Sequence, residues 1–183
     1  MFNRHELLHL FAKRPVEPVK DLASFRRSLA RCVALAALQI RLDVGGRSDD
    51  PACTFVEFNQ LDLAREGCAV CSLDMTAEPT RWREAVGKSL SEIRRLGLHG
   101  VTAGEMERYA SALMTDAEQL AAQGDCISHG DQLAYLMETV SNRHTFMSPE
   151  QSYDMTVGGG QYSSMTAREA VGFQTWCSCR WSS

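Results

Sequence analysis

Apolar positions fall at helical spacing along much of this chain. Leu22, Phe25, Leu29, Cys32, Val33, Ala36 and Ile40 recur three or four residues apart, which aligns them on one face of a long helix. Asp21 stands where its side chain can cap the first turn, and Gly45-Gly46 stops the run. Pro15 and Pro18 end the segment before it, so residues 6–13 read as a strand. After an exposed loop, Arg47-Ser48-Asp49-Asp50-Pro51, the period shortens. Residues 53–58 are rich in β-branched and aromatic side chains, and residues 68–76 alternate for several positions. With Arg65-Glu66-Gly67 as the turn between them, an antiparallel hairpin with a longish loop is predicted.

The remainder is helical. Pro79 or Thr80 opens a helix carrying Trp82, Val86, Leu90 and Ile93 that ends around Gly97 to Gly100. Thr102-Ala103-Gly104-Glu105 has the form of a capping box: the threonine oxygen accepts from one unpaired amide while the glutamate reaches back to another. Met106, Tyr109, Leu113, Ala117 and Leu120 line the helix it starts, and Gly124 closes it. A fourth helix carries Leu133, Leu136, Met137 and Val140. Ser148-Pro149 opens a short fifth, with proline at the first helical position, where its missing amide costs nothing. Gly158-Gly159-Gly160 reads as a flexible break, Thr166-Ala167-Arg168-Glu169 as the start of a helix that does not reach full length, and residues 176–183 show no period. The pattern predicts an α+β fold, a few antiparallel strands covered by helices on one side. The expected organisation is one unit at residues 1–157 followed by a glycine-rich break and an incomplete tail at residues 158–183.

Composition narrows the function classes. Of 183 residues, 44% are hydrophobic and 23% charged, and the net charge of −4 is spread over interspersed acidic and basic positions. No basic stripe marks a surface for nucleic acid or an anionic membrane, and neither partner is expected. Seven irregularly spaced cysteines do not read as a secreted disulfide framework, which points to a reducing compartment. No apolar run approaches the ~20 residues needed to cross a bilayer. The opening Met1-Phe2-Asn3-Arg4-His5-Glu6 has the pattern of neither a signal peptide nor an organelle transit peptide, so no targeting signal is expected in the chain.

The most conspicuous motif is His5-Glu6-Leu7-Leu8-His9, which fits H-E-x-x-H. On a helix that spacing brings both imidazoles to one zinc and lets the glutamate activate a bound water. On a strand, residues four apart are roughly 13 Å from each other and share no ion. Pro15 and the strand-like composition favour the second geometry; a free-standing zincin built on His5, Glu6 and His9 is the rival. Cys68 and Cys71 form a C-x-x-C, but on a strand a separation of three sends them to opposite faces, so they read as ordinary small packing residues. Cys126 with His129, and Cys177 with Cys179, lack a second ligand pair. No phosphate loop, dinucleotide fingerprint, nucleophile elbow or paired-carboxylate site is present.

Taken as a string, the middle of the chain is familiar. Phe11-Ala12-Lys13-Arg14-Pro15-Val16-Glu17-Pro18-Val19 with its long helix, Phe55-Val56-Glu57, Arg65-Glu66-Gly67-Cys68 and Thr76-Ala77-Glu78-Pro79 with Trp82 carry the first part of a resemblance. Glu92-Ile93-Arg94-Arg95-Leu96, Gly100-Val101-Thr102 with Glu105 and Arg108-Tyr109, Asp116-Ala117-Glu118-Gln119-Leu120-Ala121 and Leu136-Met137-Glu138 continue it. In their order and spacing these stretches resemble the pitrilysin/insulinase family of zinc endopeptidases, and within it the branch that processes precursor proteins imported into chloroplasts. The resemblance runs from about residue 8 to about residue 156.

It implies lobes built from paired α+β halves that close around a substrate, with zinc held by H-x-x-E-H and a distant glutamate in the first half. No H-x-x-E-H occurs here, so no catalytic, cofactor or metal residue carries over. The implied role is a second, non-catalytic half that scaffolds the catalytic half and walls the substrate chamber. Its implied partners are the missing catalytic half-domain and precursor polypeptides whose transit peptides are removed. Zinc is expected in the full-length protein, and the chloroplast stroma is its implied location. A non-enzymatic assembly subunit of the same family is the alternative.

Overall fold

Alternation along one strand decides the sheet. Ala69, Cys71, Leu73, Met75 and Ala77 are buried, while Val70, Ser72, Asp74 and Thr76 between them are half-buried on the opposite face; this is the two-residue period of a pleated strand. The computed structural model describes residues 6–46, 52–63 and 67–159. In chain order these form β1 (Glu6–Arg14), α1 (Leu22–Gly46), β2 (Cys53–Leu63), β3 (Cys68–Ala77), α2 (Trp82–His99), α3 (Ala103–Ala122), a 3₁₀ turn (Gly124–Cys126), α4 (His129–Ser141) and α5 (Pro149–Gly159). β3 lies between β1 and β2 and pairs antiparallel with both. The architecture is α+β, as the pattern predicts.

The core lies between the sheet and α1, α2 and α3. Val33, Ala34, Ala37, Leu38 and Leu42 of α1 pack with Leu73 and Met75, and with Ile93 and Leu96 of α2. A second cluster joins Phe25 and Leu29 of α1 to Ala110 of α3, with Met147 and Met155 against it. Burying each large side chain is worth roughly 1.5–3 kcal/mol, so α1, which serves both clusters, is the spine of the fold. Asp21 caps it as expected, its Oδ1 accepting the Ser24 N–H at 2.7 Å.

Several helix boundaries and faces differ from the sequence reading. The buried stripe of α1 is turned toward Ala30, Ala34, Ala37 and Leu38, leaving Leu22, Cys32 and Ile40 exposed. The alanines explain the turn, because their small side chains let the helix axis approach the sheet closely. α2 begins at Trp82 after a turn at Pro79 and Thr80, with Arg81 at the N-cap. Gly100, at φ 70, ends it in the left-handed region open to glycine. On α3 both halves of the Thr102–Glu105 capping box are present, but Leu120 near its end is exposed. Of the expected glycine break, Gly158 and Gly159 are the last residues of α5, which is anchored by buried Thr156 and by Met155, and Gly160 lies outside the described residues. A glycine costs a helix only about 1 kcal/mol, which that anchorage offsets. The expectations for residues 160–183 lie outside the described residues.

Candidate functional site

The H-E-x-x-H segment is a strand wherever it is described. Glu6 pairs with Ala77 and His9 with Asp74, so these two side chains leave the sheet on opposite faces. His5 lies outside the described residues. His9 Nδ1 is 2.6 Å from Asp74 Oδ1, and the Ser72 hydroxyl donates to Asp74 Oδ2 at 3.0 Å. Among the described residues no group of three or more His, Cys, Asp or Glu is placed to hold a metal. The described residues therefore do not fit the zinc that the resemblance implies. Cys68 and Cys71 are not joined, and Cys71 points into the core while Cys68 lies on the other face, the placement expected from their spacing.

That other face of the sheet is left uncovered by the described helices. Register places Leu7, Thr76 and Phe55 in one row, His9, Asp74 and Glu57 in the next, then Phe11, Ser72 and Asn59, and then Lys13, Val70 and Leu61. Leu7, Phe11, Phe55 and Leu61 are 40–61% exposed on it. A second apolar surface stands on α4, where Leu133, Leu136, Met137 and Val140 all face outward and Thr139 is the helix's buried residue. The sequence reading placed these four in a helix but not at its surface.

Polar side chains seal the edge of β2. The Gln39 carboxamide donates to the Val56 carbonyl at 3.0 Å and accepts the Phe58 N–H at 2.9 Å, taking the place of a neighbouring strand. Further along, the Asn142 amide donates to the Asp62 carbonyl at 3.4 Å. Behind these, Arg41 grips Glu105 through two hydrogen bonds of 2.9 and 2.7 Å and reaches the Gly100 carbonyl. The Arg41 guanidinium, helped by Thr102, holds the Glu105 carboxyl down at about 2. Glu105 thus ties the start of α3 to α1.

No family model matches the chain. It is 40% identical over 159 residues to the chloroplastic stromal processing peptidase of Arabidopsis thaliana, an alignment covering 84% of this chain and 13% of that protein. The protein of the same name in Oryza sativa is 37% identical over 174 residues, covering 92% of this chain and 14% of the relative. The first half of the periplasmic protease PqqL from Escherichia coli superposes with a TM-score of 0.80 at 18% identity, across 98% of this chain and 39% of that one. This chain belongs to the pitrilysin/insulinase family. It spans about one-seventh of the length of the curated relatives it matches. It also has the fold of the inactive peptidase domain of a putative zinc protease from Bordetella parapertussis, with a TM-score of 0.57, 13% identity and 99% of this chain against 92% of that one.

The exposed sheet face has a signal in the sequence. β1 carries Leu7 and Phe11 on one face and Leu8, Leu10 and Ala12 on the other; β2 carries Phe55 and Leu61 opposite Val56 and Phe58. Strands apolar on both faces belong to a sheet covered on both sides.

Proposed function

We propose that this chain is the non-catalytic half-domain of a zinc endopeptidase that removes transit peptides from precursor proteins in the chloroplast stroma. It scaffolds the catalytic half and forms part of the wall of the substrate chamber. What carries the reading is a sheet built apolar on both faces and covered by helices on one, in a chain that spans about one-seventh of its stromal processing relatives. The uncovered face and the α4 stripe are the surfaces on which the catalytic half and further parts of the enzyme pack. Zinc belongs to that catalytic half, whose H-x-x-E-H this sequence lacks. There the metal would lower the pKa of a bound water and polarise the peptide carbonyl.

Metal analysis tests the division of labour. The purified chain should hold no stoichiometric zinc after mild chelation, His9→Ala should leave its metal content unchanged, and it should cleave no precursor alone. One tightly held zinc per chain, lost on His9→Ala, would overturn the reading in favour of the zincin.

A further inference from the structure

Between the far end of β2, α1 and the connection from α4 to α5 lies a cleft of about 460 Å³. Asp62 and Asn142 line it, and each carries a buried side-chain oxygen, Oδ1, with no hydrogen-bond partner. Asn142 is only 4% exposed. A buried acceptor left unpaired costs about 1–3 kcal/mol, so two of them side by side call for an explanation. The Asp62 carboxylate has one contact through Oδ2, with His144 Nε2 at 3.5 Å, which is long for a hydrogen bond. His144 takes the Val19 N–H on Nδ1 at 2.9 Å, so its ring proton sits on Nε2 and the imidazole in this arrangement is neutral. It leaves the Asp62 charge unbalanced. The cleft's cation, Arg31, is engaged by Glu17 at 2.5 Å, while Glu138 adds a second carboxylate at the rim.

The surroundings are organised rather than loose. Arg143, between Asn142 and His144, sits at φ 59, a left-handed conformation rare for arginine. The turn is held there by the His144 N–H donating to the Thr139 carbonyl at 2.9 Å and the Thr145 N–H donating to the Val19 carbonyl at 2.8 Å. Tyr135 lines the cleft and packs against Phe146 with ring centroids 5.7 Å apart, which fixes an aromatic face at the entrance.

From this geometry we infer that the cleft takes the guanidinium of an arginine side chain from a bound polypeptide. An excess of acceptors over donors makes the cleft negative, and low-dielectric walls concentrate that field. A planar guanidinium offers five donors to divergent acceptors and stacks on an aromatic ring. Asp62 Oδ2 and Glu138 meet it from the solvent side, and the ring of Tyr135 covers it. The inference rests on the processing reading only for the identity of the polypeptide: organelle transit peptides are rich in arginine and poor in acids. The cleft would hold such a segment away from the scissile bond.

Titration of the whole chain with acetyl-Ala-Arg-Ala-amide, followed by NMR shifts of the Asn142 side-chain amide and Tyr135, tests this. The arginine peptide should bind saturably, and the glutamine counterpart about tenfold more weakly. Asp62→Asn should cost about tenfold, and Glu138→Gln, at an exposed position that keeps the fold, about threefold. Equal binding of arginine and glutamine peptides, wild-type affinity in both variants, or no saturable binding would overturn the proposal. The last result would mean that the unpaired oxygens hold only water. Any of these would leave the scaffold reading standing, because that reading is tested on the sheet face and on zinc.

Discussion

At the scale of single residues, Arg41 holds Glu105 through two hydrogen bonds. The Glu105 carboxyl titrates at about 2, against an ordinary 4.5. A carboxyl lowered on folding adds stability that is complete above its unfolded value and is lost as pH falls through the folded one. Glu105→Gln should therefore cost on the order of 2 kcal/mol at pH 7. The gap between variant and parent in denaturant midpoint should narrow steadily from pH 5 toward pH 2. A gap independent of pH would mean that the loss came from packing of α3. Cysteine accessibility gives a second check. Cys71 is 1% exposed on the core face, whereas Cys68 is partly open on the other. Alkylation of the native chain should modify Cys68 readily and spare Cys71, and oxidation should not link them; a Cys68–Cys71 disulfide would contradict the strand geometry.

Among the elements, those with strong periodicity or local chemistry were legible. The hairpin, the Thr102 capping box, the proline start of α5 and the strand at β1 all follow from residues close in sequence. What escaped depends on contacts far apart in the chain. The set of the α1 stripe follows from alanines that fit against β2 and β3, which spacing alone does not rank above Leu22 or Ile40. The outward stripe of α4 looks, by spacing, identical to a buried one. Gln39, Asp62 and Asn142 carry no motif; their significance arises only where a strand edge passes within hydrogen-bond reach. Gln39 also yields a prediction. Its carboxamide closes the backbone of β2 at Val56 and Phe58, so Gln39→Leu leaves a carbonyl and an amide unpaired. The variant should lose about 2 kcal/mol, and it should self-associate through the reopened edge, both readable by denaturant titration and sedimentation. An unchanged midpoint would show that water replaces the glutamine without cost.

For the whole molecule, the uncovered sheet face and the α4 stripe are the kind of contiguous apolar surface that drives association. The isolated chain should bind a hydrophobic dye and dimerise or aggregate, and Leu61→Glu with Val140→Lys should reduce both without lowering stability. A monodisperse parent with no dye binding would contradict an unfilled interface. The central claim, that this chain completes a peptidase it does not itself catalyse, is tested most directly by complementation. The Arabidopsis stromal processing peptidase would be prepared without its matching segment, and precursor cleavage measured with and without this chain supplied in trans. The account predicts that neither piece cleaves alone, that together they do, and that Leu61→Glu abolishes the rescue. Cleavage by this chain alone, or two folded pieces that never combine into an active enzyme, would contradict it.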